Sequence, residues 1–137
     1  MPKFSERSLS RLNTCSPVLQ RLMKAAIEIG PDFSILCGFR TKAEQDAAVA
    51  AGHSQLSWPK SRHNISPSMA VDIAPYPIDW KDEARFHELS VSVKRAWNAM
   101  SAGARSGYSL TWGGDWTTFR DLPHYELGFA RGFSRTP

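Results

Sequence analysis

The chain lacks what would commit it to a membrane, to export or to a disulfide framework. None of its 137 residues belongs to an unbroken apolar run of the roughly 18 residues or more that a bilayer-spanning helix requires, so no membrane insertion is encoded. The opening Met1-Pro2-Lys3-Phe4-Ser5-Glu6-Arg7 has no apolar stretch of the signal-peptide kind, and the product is expected to stay in the cytoplasm where it is made unless something else releases it. Cysteine is scarce: Cys15 and Cys37 lie far apart with no CxxC spacing. They are expected as two reduced, partly buried thiols, neither of them joining a metal site. Repeats, linkers and low-complexity stretches are also missing, and residues 1–137 are expected to form a single domain.

What is present is ordinary for a globular protein, with 42% hydrophobic and 22% charged residues. The formal charge of +4 and a pI near 9.3 favour polyanions. Yet the basic residues, among them Lys3, Arg7, Arg11, Arg21, Lys24, Arg62, Lys94, Arg95, Arg131 and Arg135, are scattered and form no nucleic-acid motif. No nucleic-acid partner is therefore expected, and a mildly basic surface suits an anionic cell envelope equally well.

Periodicity places the elements. Ser16-Pro17 supplies a capping oxygen and a proline at the first helical position, and Val18, Leu19, Leu22, Met23, Ala26 and Ile27 recur at helical spacing up to Gly30. Phe33 to Cys37 reads as a short buried strand. Thr41-Lys42-Ala43-Glu44 is a capping box opening a helix that runs to about Ala51. Ala70 to Ala74 reads as a strand with Ala70, Asp72 and Ala74 on one face. A third helix is predicted from about Asp82 to Ala102, with Phe86, Leu89, Val93, Ala96, Trp97 and Met100 inward. Ser109 to Trp112 and His124 to Leu127 follow as short strands joined by a Gly-rich, aromatic loop.

His63, Asp72 and His124 are the residue types that hold a catalytic metal, two imidazoles and a carboxylate, with Asp121 as a spare acid nearby. Spacing alone does not establish a site, because two His and one Asp within about sixty residues arise by chance in many domains. The ordered blocks Gly38-Phe39-Arg40-Thr41, Ser61-Arg62-His63, Ala70-Val71-Asp72-Ile73-Ala74, Trp112-Gly113-Gly114-Asp115-Trp116 and Asp121-Leu122-Pro123-His124-Tyr125-Glu126-Leu127 carry more. Together they resemble the zinc-dependent peptidoglycan peptidases, which include the phage L-alanyl-D-glutamate endopeptidases (endolysins) and, more distantly, the D-alanyl-D-alanine carboxypeptidases and dipeptidases. One departure stands out. The family's commoner form has six residues between the first His and the Asp, with a glycine among them; here eight intervene and Ser66-Pro67-Ser68 fills the glycine's place.

The resemblance implies an α+β domain, a small antiparallel sheet flanked by helices, with a single zinc site and no separate cell-wall-binding module. It implies Zn²⁺ held by His63, Asp72 and His124, hydrolysis of a stem-peptide bond between L-alanine and D-glutamate, and Asp121 as the general base. In a plain extended strand, however, residues three apart point to opposite faces, and His124 shares a face with Glu126. Asp121 is therefore expected to face the metal only if Leu122-Pro123 turns, and Glu126 then orients a ligand. Arg40 occupies the family's substrate-side arginine position, its side chain free to grip a carboxylate or an oxyanion; an exposed Arg at a helix start is the plain alternative. Ser61 is expected to bond substrate or backbone. Trp112, Trp116 and Asp115 are candidate cleft residues, with Trp116 placed to touch ligand and Asp115 a third acidic candidate near the metal; His53 and His87 belong to no such block, and His87 is expected to be structural or exposed.

As partners, the resemblance implies bacterial peptidoglycan and a holin that opens the inner membrane, so that a monomer made in the host cytoplasm reaches the cell wall. Two rivals remain: a D-alanyl-D-alanine carboxypeptidase with the same metal set, and a zinc-stabilised wall-binding module without turnover. A free acid such as Asp121 argues against the second, because a structural site fills its four positions and needs no base.

Overall fold

The computed structural model describes residues 3–129; Arg131 and Arg135 lie outside them. Two helices, α1 (Glu6–Leu12) and α2 (Pro17–Ile29), precede strand β1 (Phe33–Cys37) and helix α3 (Lys42–Ala50). Strand β2 (Ala70–Pro75), helices α4 (Glu83–Ala99) and α5 (Ala102–Arg105), and strands β3 (Tyr108–Trp112) and β4 (His124–Phe129) complete the order. The strands form one antiparallel sheet in the order β1-β2-β4-β3, the expected α+β architecture.

Local chemistry explains the boundaries. The Ser16 hydroxyl accepts from Leu19 N–H, Pro17 follows, and Gly30, at φ 80°, closes α2 in a backbone region open to glycine. Both halves of the Thr41/Glu44 capping box are made. The predicted third helix divides in two, because Ser101 caps a new helix by accepting from Ala104 N–H. Helix α1 went unread in the sequence. Its Ser8 hydroxyl accepts from Ile35 N–H and its Arg11 donates to Ile35 O, so two side chains satisfy the open edge of β1 that would otherwise invite pairing with another chain.

The core lies between the sheet and the helix pair α2 and α4. Val71 and Ile73 of β2, and Tyr125 and Leu127 of β4, are buried in it with Leu19, Leu22, Met23, Leu89 and Val93. Alternation along each strand then turns Ala70, Asp72 and Ala74, and likewise His124 and Glu126, to the opposite face. In the β2–β4 pairing Asp72 stands directly across from His124, and Ala70 across from Glu126. The sheet itself thus brings together two groups that are 52 positions apart in sequence.

Candidate metal centre and cleft

The third member of the cluster, His63, sits on a 3-10 turn, Arg62–Asn64. Ser61 caps that turn by accepting from His63 N–H, and Asn64 accepts in return from Ser61 N–H. Ser61 therefore serves the backbone of this turn while also lining the cleft. The longer segment between His63 and Asp72 is pinned: Ser68 N–H donates to Thr14 O, Ser16 N–H donates to Ser68 O, and the Ser68 hydroxyl donates to Ala70 O. The two extra residues are absorbed without displacing either end.

The partners of the imidazoles decide which nitrogen faces inward. A carbonyl oxygen only accepts, so His63 Nδ1 carries hydrogen and donates to Gly38 O across 2.7 Å. His124 Nε2 donates to Glu126 Oε1 at 2.8 Å. Burial alone would raise the Glu126 carboxyl, but the bond from His124 and the Arg62 guanidinium hold it below its ordinary value, so it is an ionised acceptor. Both remaining nitrogens then converge on one carboxylate oxygen. His63 Nε2 and His124 Nδ1 are 3.3 Å apart, and Asp72 Oδ1 is 3.2 and 3.1 Å from them.

Three acceptors this close repel one another unless a cation lies among them. The protonation equilibria reflect that demand. Burial opposes charge on His63 and His124, yet Asp72 outweighs it and raises both; burial likewise opposes ionisation of Asp72, and the two imidazoles drive its carboxyl far below the usual range. A metal ion meets the same demand and displaces the protons.

Asp121 faces this cluster. Its Oδ2 lies 4.0 Å from His124 Nδ1, and Asp72, Asp121 and His124 form a group whose potential ligand atoms lie within 4.8 Å of one another. The turn required by the sequence argument is present: His124 N–H donates to Asp121 O, Ile73 N–H to Pro123 O, and the Trp112 indole to Leu122 O. Asp121 N–H also donates to Gly113 O, and a side chain at Gly113 would collide with the Asp121 carbonyl. Burial first, and then the Asp72 charge, raise the Asp121 carboxyl above its ordinary value, the direction a proton acceptor working near neutrality needs. Glu126 lies beyond His124 and bonds its far nitrogen.

Several expectations need correction. Arg40 lines the cleft, but its side chain is not free. It is 13% exposed, donates through Nη1 to Gln45 Oε1 at 2.9 Å and pairs through Nη2 with Asp72 Oδ2 at 3.4 Å. It therefore fixes the outer oxygen of Asp72 and leaves the inner one to the histidines. Asp115 does not approach the cluster; it is 56% exposed and pairs with Lys94. Cys37, expected to stand apart, is the register partner of Asp72 across β1–β2, and its Sγ comes within 3.9 Å of His63 Nδ1. Cys37, His63 and Asp72 form a second group of potential ligands. Cys15 is buried and its thiol is pushed up to about 12 by that burial and by Cys37.

Trp116 stands over His124, ring centres 5.2 Å apart, and lines the cleft. His53, given no role in the sequence, is exposed on the rim, and His87 packs edge-on against Trp112. Gln45 was also missed. Fully buried, it accepts from Arg40 and Asn64 and donates to Ser54 Oγ and Leu56 O, tying α3 to the turn that carries His63. Only a polar residue on an otherwise unremarkable helix face marked it.

Comparisons with known proteins fall on the same ground. The family model described as phage L-alanyl-D-glutamate peptidase matches residues 1–133. The L-alanyl-D-glutamate peptidase of Escherichia phage T5 is 37% identical over 129 residues, spanning 91% of this chain and 88% of that protein. The crystal structure of the Serratia marcescens L-Ala D-Glu endopeptidase ChiX superimposes with a TM-score of 0.74 at 30% identity, covering 92% of this chain and 90% of the other. The chain belongs to the phage L-alanyl-D-glutamate peptidase family.

Proposed function

We propose that this protein hydrolyses the L-alanyl–D-glutamate bond in the stem peptide of bacterial peptidoglycan, as a phage endolysin, with one Zn²⁺ held by His63 Nε2, Asp72 Oδ1 and His124 Nδ1. The observation that carries the metal reading is the triangle of inward atoms, with edges of 3.1, 3.2 and 3.3 Å. Ligands about 2.0–2.1 Å from a tetrahedral zinc stand roughly 3.3–3.4 Å from one another, so the donor set fits. When bound, the metal polarises the scissile carbonyl and acidifies water beside it. Asp121 takes the proton of the attacking water and delivers it to the leaving amine. Arg40, itself fixed by Gln45, holds Asp72, while Glu126 and Gly38 O hold the imidazoles, so the ligands are oriented before substrate arrives.

In the same reading the protein is made in the host cytoplasm, acts as a monomer, and reaches the wall once a partner holin opens the inner membrane. Among the described residues no helix is long and apolar enough to cross a membrane.

Mass spectrometry of fragments released from purified peptidoglycan tests the proposal. New amino-terminal D-glutamate is expected, abolished by a chelator and restored by Zn²⁺. Release of D-alanine alone would assign a carboxypeptidase, and intact wall after treatment with zinc-loaded protein would leave only a binding module.

A further inference from the structure

The cleft has two lobes that meet at Arg40, His53, Phe119 and Asp121, which line both. The first lobe, about 310 Å³, lies beside His63, His124 and Glu126. The second is larger, about 630 Å³, and begins at Asp72 and Asp121. Its far wall is aromatic and aliphatic, with Trp80, Phe86, Leu36 and Leu122. Trp80 stacks on Phe86 with ring centres 5.6 Å apart and planes 22° from parallel, yet remains 58% exposed. A large indole backed by a second ring and left open to solvent at the end of a catalytic cleft forms a flat platform for a ligand face.

We propose that the Trp80–Phe86 platform is a glycan subsite that stacks the N-acetylated sugar ring to which the stem peptide is attached. This rests on the peptidoglycan-peptidase reading. The stem peptide offers methyl groups, carboxylates and an amine, none with a broad apolar face to match an indole. The sugar does have one, its ring C–H face, and it adjoins the L-alanine end of the scissile bond. The larger lobe is continuous with the metal cluster through Asp72 and Asp121, so a sugar on Trp80 and a peptide bond at the metal belong to one bound substrate. The platform thus sets a preference for stem peptides still joined to glycan over free peptides.

The test compares zinc-loaded full chain on a disaccharide–tetrapeptide and on the free tetrapeptide of the same sequence. Wild-type kcat/KM is expected to favour the glycan-linked substrate by about tenfold or more, mostly through KM, the scale of one good aromatic contact. Trp80→Ala is expected to remove most of that advantage while cleavage of the free peptide falls by less than about twofold, and Trp80→Tyr, which keeps a flat ring, restores much of it. An equal loss on both substrates in a variant of unchanged melting temperature, or no wild-type preference, overturns the glycan subsite and leaves the peptidase reading standing. Failure of wild type to cleave either substrate overturns both.

Discussion

Asp121 and Glu126 flank the same imidazole from opposite sides, and their surroundings push their carboxyls in opposite directions. Asp121→Asn should retain metal and fold while turnover falls by about two to four orders of magnitude, the usual range for a lost general base; metal analysis beside fragment release checks it. Glu126→Gln should instead weaken metal affinity by about 10–100-fold, since it removes the ionised partner that turns His124 Nδ1 inward. The reverse pattern would exchange the two roles. Arg40→Lys provides a third case at this scale. Lysine cannot span Gln45 and Asp72 with a planar fork, so zinc affinity should drop together with cleavage, by about tenfold or more. From the sequence alone, Arg40 looked free for substrate. Nothing local to Gly38-Phe39-Arg40 reveals that Asp72 lies within reach, because that proximity is created by β1 pairing with β2.

At the level of elements, the helices were readable because their ends carry their own chemistry: Ser16-Pro17 and Gly30 bound α2, and Thr41 with Glu44 opens α3. Helix α1 also has a cap, Ser5 accepting from Ser8 N–H, but with seven residues and few apolar positions it shows no helical periodicity. Its purpose is to complete the backbone of β1, a neighbour no local pattern announces. The approach of Cys37 to His63 was illegible for the same reason, being a matter of register. Two tests belong here. Thr41→Ala should cost about 1 kcal/mol of stability by removing a capping oxygen. Bonds from Thr41, its backbone N–H first, lower the Glu44 carboxyl, so its contribution is present above the unfolded-state pKa and is lost as pH falls through the lower folded value. The Thr41→Ala penalty, mainly the lost bond from Glu44 N–H, should therefore largely persist in acid while the Glu44 contribution fades in variant and wild type alike, as seen by denaturant melts at pH 7 and below pH 4. Gly113→Ala places a methyl against the Asp121 carbonyl. It should move the base and lower turnover by at least about tenfold with metal content retained, since misplacement of about 1 Å costs more than that.

For the molecule as a whole, the cluster of His63, Asp72 and His124 ties folding to occupancy by positive charge. Without metal, both histidines have raised pKa values, so their protons stabilise the fold at pH values below the ordinary histidine range and that contribution is lost as pH rises through the raised values. Zinc, if it binds here as proposed, has to displace those protons. Its uptake should release protons near neutral pH, read as a binding enthalpy that varies with the ionisation enthalpy of the buffer, and affinity should weaken as the solution is acidified. Zinc-loaded protein should also melt higher than chelated protein by an amount that grows with free metal.

Asp72 and His124 are cross-strand partners, and this separates tolerance of length from tolerance of phase. The stretch between them contains α4, α5 and β3, yet the spacing of the two proposed ligands is set by the width of a strand pair rather than by that stretch. Residues added in the exposed corner before α5 should leave metal affinity intact. A single residue inserted within β4 between His124 and Tyr125 would turn the His124 imidazole towards the core face and abolish the cluster. Relatives of very different length can therefore share one metal geometry, provided that the added segments fall in the loops and the two strands keep step.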